Sequence, residues 1–164
     1  MKNKTQIIAE PGKQEFFIIR EFDAPRELVF RAFSTVDLLE QFFAPKNRVT
    51  KYEYFHYHDN GSYKYATSDE NGRVLCVFKG TVHEVAAPER IILTSEMEGL
   101  PVKGHVVMEV MSFESIDGDR TRLSMHDVCL TVQDRDMIIG SGMEGGLKDI
   151  FDQLDGLLVE QLKS

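Results

Sequence analysis

Along the middle of the chain, histidines and carboxylates fall close enough together to suggest proton transfer. His83, His105 and His126 each sit in a stretch with strand character, and Glu109 and Asp127 are near two of them in sequence or register. A neutral histidine beside a carboxylate in an apolar cavity has a tunable pKa and could drive a cyclisation or dehydration. Strand histidines satisfied by a hydrogen bond or by solvent are the simpler account. No G-x-S-x-G elbow and no Cys–His pairing accompany them, so nucleophilic catalysis has no signature here. His56 and His58 lie two apart on a stretch that ends at Asp59 and could turn two ring nitrogens to one side, yet no spacing nominates a third metal ligand. Exposed strand-end histidines explain them as well. Neither a metal nor another cofactor is therefore expected.

The other unusual feature is a run of four glycines, Gly140, Gly142, Gly145 and Gly146, within seven residues. It invites comparison with a phosphate-binding loop, but Lys148 is not followed by Ser or Thr and the G-x-x-x-x-G-K spacing is missing. Packing, close backbone approach or room for a ligand are the remaining uses. Each glycine would cost about 1 kcal/mol against alanine inside a helix. A helix is what the surroundings predict: Met143, Leu147, Ile150, Phe151, Leu154, Leu157, Leu158 and Leu162 recur at steps of three and four, which predicts one amphipathic helix over 137–162.

A helix with one apolar stripe must lay it on something apolar, and most of the preceding chain reads as strand. The first clear strand is predicted over 15–22. It ends at Asp23-Ala24-Pro25, where proline at a first helical position opens a short helix that stops near Ser34-Thr35, and a second helix over 36–42 is stopped by Ala44-Pro45. From Arg48 onward the turn residues of an antiparallel meander recur, at Asp59-Asn60-Gly61, Asn71-Gly72 and Asp117-Gly118-Asp119, with a proline turn at Ala87-Pro88. They delimit strands over 49–56, 63–68, 74–85, 90–96, 103–114 and 121–132. Tyr52, Tyr54, Phe55 and Tyr57 break simple alternation, which leaves the inward face of the first of these undecided. Residues 1–14 are expected to be a flexible lead-in or a short edge strand, and 15–164 a single domain.

Composition narrows the partners. The chain has 164 residues, a formal net charge of -8 and no clustered Lys/Arg surface, so a nucleic-acid backbone is not an expected partner. The two cysteines, Cys76 and Cys129, lack C-x-x-C spacing and sit among apolar strand residues, as reduced buried thiols do. There is no signal-peptide-like apolar run after the charged first residues and no apolar stretch of membrane-spanning length, so a cytoplasmic location is expected.

The order strand, two short helices, antiparallel strands and long helix is an α+β, helix-grip arrangement, and specific segments match a known family. The segment from Ile19 to Phe33, IREFDAPRELVFRAF, resembles the opening signature of the START-like or Bet v-like (SRPBCC) superfamily, and more narrowly the subfamily named after the activator of the heat-shock protein 90 ATPase. Phe42-Phe43-Ala44-Pro45 occupies the place where that subfamily usually has two tryptophans, Gly and Pro. Glu84-Val85-Ala86-Ala87-Pro88-Glu89-Arg90-Ile91 resembles its proline turn, and Gly142-Met143-Glu144-Gly145-Gly146-Leu147 its Gly-Met-Glu-x-Gly-Trp opening of the long helix. This chain has no tryptophan, so Phe42, Phe43 and Leu147 stand where indoles are common.

The resemblance implies a curved seven-stranded antiparallel sheet gripping the C-terminal helix, with a cavity between them. Strand parity groups Cys76, Phe78, Gly80 and Val82, then Val106, Met108 and Val110, then Leu123 and Met125, as concave wall; a filled core is the plainer alternative. The expected ligand-binding set is Phe33, Phe42, Phe43, Phe78, Met108, Met125, Met143, Gly146, Leu147 and Ile150, with methionines suiting an adaptable lining. Three functions follow as expectations: non-enzymatic binding of a hydrophobic or aromatic small molecule; a polyketide cyclase or dehydratase using His126 or Asp127; and a co-chaperone-like interaction module in stress response. The chain resembles only the C-terminal type of module of the activator, so stimulation of a chaperone ATPase does not follow. Homodimerisation is compatible with the fold, though nothing in the sequence specifies it.

Overall fold

The structure, a computed structural model, describes residues 3–164. Met1 and Lys2, the start of the expected lead-in, lie outside the described residues. In chain order the elements are β1 (Gln6–Ile8), β2 (Glu15–Phe22), α1 (Arg26–Ser34), α2 (Val36–Phe42), β3 (Val49–Phe55), β4 (Gly61–Ser68), β5 (Val74–Ala86), β6 (Arg90–Met97), β7 (Val106–Ile116), β8 (Arg120–Val128), α3 (Val132–Ile139) and α4 (Met143–Leu162). The strands form one antiparallel sheet in the order β1-β2-β8-β7-β6-β5-β4-β3. It has eight strands rather than the expected seven, because Gln6–Ile8 pairs with the outer edge of β2. Among the described residues no helix is long and apolar enough to cross a membrane.

Period-two alternation sets the concave face. In β2, Phe16, Ile18, Arg20 and Phe22 are buried while the residues between them are half-exposed, and β8 answers with Thr121, Leu123, Met125 and Asp127. In β7 the buried residues are Met111 and Phe113, and Glu109 shares their parity. The expected parity over 106–110 is thereby corrected: Val106, Met108 and Val110 take the outer face, with Met108 45% exposed.

The glycine run acts as a helix break. In place of one helix over 137–162, α3 ends at Gly140 and α4 begins after Gly142, which caps it at φ 88 in the left-handed region that favours glycine. The expected strand over 121–132 likewise stops at Val128, because the Thr131 side chain accepts from the Asp134 amide at 3.0 Å and so caps α3. Pro25 is the cap of α1 rather than its first residue, and its fixed φ of -61 suits that position. The expected proline turn is present, with a cis Ala87-Pro88 peptide.

The C-terminal half of α4 closes one end of the grip. Phe151, Leu154 and Leu158 are buried, and Phe151 meets Phe22 edge-to-face at 5.6 Å. Burying such side chains contributes about 1.5–3 kcal/mol each. Arg20 is embedded in this packing, 2% exposed, its guanidinium 5.4 Å from the Phe22 ring and 5.7 Å from the Phe151 ring. It bonds Asp155 of α4, lies 3.7 Å from Asp152, and reaches the Thr5 hydroxyl at 3.2 Å. Desolvation raises the Asp155 carboxyl while the Arg20 charge opposes that rise. A cation thus ties β2 to the helix from inside the core.

Candidate functional site

The remainder of the concave face has a different composition. A bulge between Tyr52 and Tyr54 inserts one residue into β3, so that Tyr52 pairs with Tyr65 and Phe55 with Tyr63. Tyr52 and Phe55 therefore share the inward face, and Tyr57 continues it by stacking on Phe55 at 3.9 Å. Across the pairing, Tyr65 stacks on Phe78 of β5 at 5.5 Å and meets Phe43, just past α2, at 5.6 Å. Phe43, Tyr52, Tyr57, Tyr65 and Phe78 are all half-buried, whereas the rings of the Phe22–Phe151 end are sealed. Phe43, Tyr52, Tyr57 and Tyr65 pack against the core yet keep accessible surface.

Tyr63 is the fixed member of the wall. Its hydroxyl donates to the Thr94 carbonyl at 2.8 Å, an approach that needs glycine at position 80: a Cβ there would sit 1.7 Å from that carbonyl oxygen and 2.8 Å from the hydroxyl. Desolvation pushes the phenols of Tyr52, Tyr57, Tyr63 and Tyr65 above the usual tyrosine range, with the Glu109 charge adding to the rise at Tyr57, Tyr63 and Tyr65. They are neutral hydrogen-bonding groups on an otherwise apolar wall.

Into this wall the sheet places two carboxyls. Glu109 of β7 and Asp127 of β8 are direct cross-strand partners on the inward face. Burial raises both, and the Glu109 charge beside it raises Asp127 further, so Asp127 is the member of the pair biased toward the protonated form. Asp127 is 7% exposed, and its Oδ1 atom is buried without a hydrogen-bond partner. Such an atom costs about 1–3 kcal/mol when left unsatisfied. Nearby, burial pushes the Cys129 thiol up to about 11, so it is no nucleophile at neutral pH.

The expected binding residues divide between sealed and half-buried positions. Phe33 and Phe42 are 3% and 1% exposed and pack edge-to-face at 5.2 Å, which makes them core. Met125 is buried on the inward face next to Asp127 in parity. Phe43 and Phe78 join the tyrosine wall, while Met143, Leu147 and Ile150 are half-buried along the first half of α4 and pack against the core. Gly146 faces Pro45, whose Cγ would lie 3.6 Å from an added Cβ. This half of α4 is tied to the loop that carries Phe43: Asp149 accepts from the Lys46 amide at 3.1 Å, and Gln153 donates to the Ala44 carbonyl at 2.6 Å. Met108, on the outer face, is removed from the set.

The histidines separate from the acids. His126 neighbours Asp127 in sequence and so projects to the opposite side, where it bonds Glu15 at 2.8 Å and stacks on Phe17 at 4.3 Å. A joint role with Asp127 is excluded by the pleat. His105 meets Asp134 at 3.0 Å, and His56, His58 and His83 are exposed. Among the described residues no group of three or more His, Cys, Asp or Glu is placed to hold a metal ion. A separate surface cleft of about 350 Å³ opens between Pro25, Leu28 and Arg31 of the α1 region and Gln161 and Leu162 at the end of α4.

With this geometry established, comparison with known proteins is informative. The family model described as "Activator of Hsp90 ATPase homolog 1-like protein" matches residues 23–159. No curated protein matches the sequence closely enough to count as a relative. Among solved structures, a protein from Rhodobacter sphaeroides superposes with a TM-score of 0.84 at 22% identity, over 96% of this chain and 99% of that one. A protein from Arthrobacter aurescens gives 0.83 at 20% identity, over 94% and 91%. CalU16 from Micromonospora echinospora gives 0.59 at 14% identity, over 99% and 90%. At these identities the likeness is one of fold.

Proposed function

The chain belongs to the family of Activator of Hsp90 ATPase homolog 1-like proteins, and from that premise we propose that it binds a hydrophobic or aromatic small molecule between the first half of α4 and the tyrosine-rich part of the sheet. The observation that carries this reading is the contrast in burial: Phe43, Tyr52, Tyr57, Tyr65 and Phe78 remain half-buried on an inward face whose other end is sealed. Burial of apolar ligand surface, worth about 25 cal/mol per Å², supplies the driving force, and a few polar groups among the rings fix orientation. Met143, Leu147 and Ile150 are the helix residues proposed to meet the ligand, and Phe43 and Phe78 the sheet-side ones. Titration with a panel of aromatic ligands, followed by amide chemical shifts, tests it. Shifts at Tyr65, Phe43 and Leu147 are expected; none at millimolar ligand would refute it.

A catalytic reading is favoured by one observation, the cross-strand pairing of Asp127 with Glu109 on the inward face, where burial biases Asp127 toward its protonated form. Such a group could act as a general acid in a cyclase or dehydratase, with His126 taking no part. Undiminished turnover of a polyketide-like substrate in an Asp127→Asn variant would end that reading. The co-chaperone role rests on the family description alone, and a pull-down with the chaperone that recovers nothing would retire it.

A further inference from the structure

We propose that the ligand of this site carries a protonated amine, held by the Glu109–Asp127 carboxyl pair with its apolar body against the tyrosine wall. The inference rests on the ligand-binding reading above and names the substrate class. Two independent observations lead to it. One is the orphaned oxygen: Asp127 is 93% buried, the complement of its 7% exposure, and its Oδ1 has no donor facing it. A wall that holds an unpartnered acceptor is complementary to a ligand that brings N–H groups. An ammonium brings three, enough to reach Asp127 Oδ1 and the Glu109 carboxylate together.

The other observation is the set of rings around the pair. Tyr57, Tyr63 and Tyr65 stand close enough to feel the Glu109 charge, and they present π faces and neutral hydroxyls rather than cations. Electron-rich faces beside a carboxylate attract a cation and offer nothing to an anion. Among the described residues no arginine or lysine forms an ion pair with either carboxyl, so the negative charge of the pair has no counter-ion among them. That is the opposite of the other end of the grip, where Arg20 already answers Asp155. The chain's formal net charge of -8 also favours approach of a cation over an anion.

The test compares three probes that share one aromatic body: naphthylmethylamine, its neutral alcohol naphthylmethanol, and naphthoic acid. Binding is measured by calorimetry on the full chain and located by amide shifts. The amine is expected to bind at least about tenfold more tightly than the alcohol, the gain of a charge-assisted contact over a neutral one, and the acid more weakly than either. Glu109→Gln, which removes the charge, should abolish the preference for the amine, whereas Asp127→Asn, which keeps a neutral acceptor at that position, should retain it. Equal or tighter binding of the alcohol by the wild-type protein would overturn the amine assignment and leave the aromatic site intact. Amine binding that Glu109→Gln does not weaken would put the amine elsewhere on the acidic surface and also overturn it. If none of the probes binds, the ligand-binding reading fails with it. The wild-type comparison decides the matter even where a variant does not fold.

Discussion

The two ends of the concave face use aromatic residues for opposite purposes. At one end Phe22 and Phe151 are sealed against each other, and Arg20, the charged residue among them, is answered by Asp155 on the same helix. At the other end most of the rings, tyrosines with Phe43 and Phe78, keep accessible surface, and the ionisable groups among them, Glu109 and Asp127, are both carboxyls and leave an oxygen unpartnered. The same α4 helix spans both. Satisfied polar groups and sealed rings stabilise; unsatisfied ones on half-open rings are kept where something else can complete them.

The contrast breaks most visibly through stability. Phe151→Ala should cost about 3–5 kcal/mol by urea denaturation, and Arg20→Ala, which removes a buried side chain and the partner of the partly exposed Asp155, somewhat less. Tyr65→Ala, on the open wall, should cost only about 1–2 kcal/mol because its ring is half-buried, while weakening the ligand. A Tyr65 cost equal to that of Phe151 would erase the distinction between the two ends.

A subtler effect has the opposite sign. The folded-state Asp127 carboxyl titrates above its unfolded value near 3.8, so the stability it contributes is present below that value and lost as pH rises through the folded pKa. Asp127→Asn removes this loss. The variant should be more stable than wild type near neutral pH, and its advantage should shrink as thermal melts are moved toward about pH 4. An advantage that grows on acidification would mean that the carboxyl is held ionised. The smallest effects separate the glycines. Gly142→Ala should cost about 1–2 kcal/mol because its φ is left-handed, whereas Gly145→Ala, with open space where the methyl would go, should gain about 0.5–1 kcal/mol.

Much of the fold was legible because periodicity and turn chemistry agreed. The α2 limits, the hairpin turns at Asn60, Gly72 and Gly118, and the buried stripe of Phe151, Leu154 and Leu158 all follow from local pattern. The site was harder to read. In Val106-Val107-Met108-Glu109-Val110-Met111 both parities are apolar and a glutamate on one of them argues for the wrong face, so alternation favours Met108 as lining, while Glu109 is legible only as a carboxyl near the strand histidines. The Tyr52–Tyr57 rings could not be assigned because a bulge resets the alternation. Arg20 is not legible at all, because a charge at an inward position contradicts the rule that finds strands. Asp127 is legible as a candidate proton-transfer group, and its place two residues beyond Met125 on an otherwise apolar parity is the signal that it faces inward, away from His126.

Residue-resolved chemical shifts on titration with an amine-bearing aromatic probe test the central claim most directly. The account predicts shifts that cluster at Tyr57, Tyr65, Asp127 and Leu147 and leave Phe22, Phe151 and Leu158 unmoved. Shifts confined to Pro25, Leu28 and Leu162, at the surface cleft beside the sealed end, would contradict it.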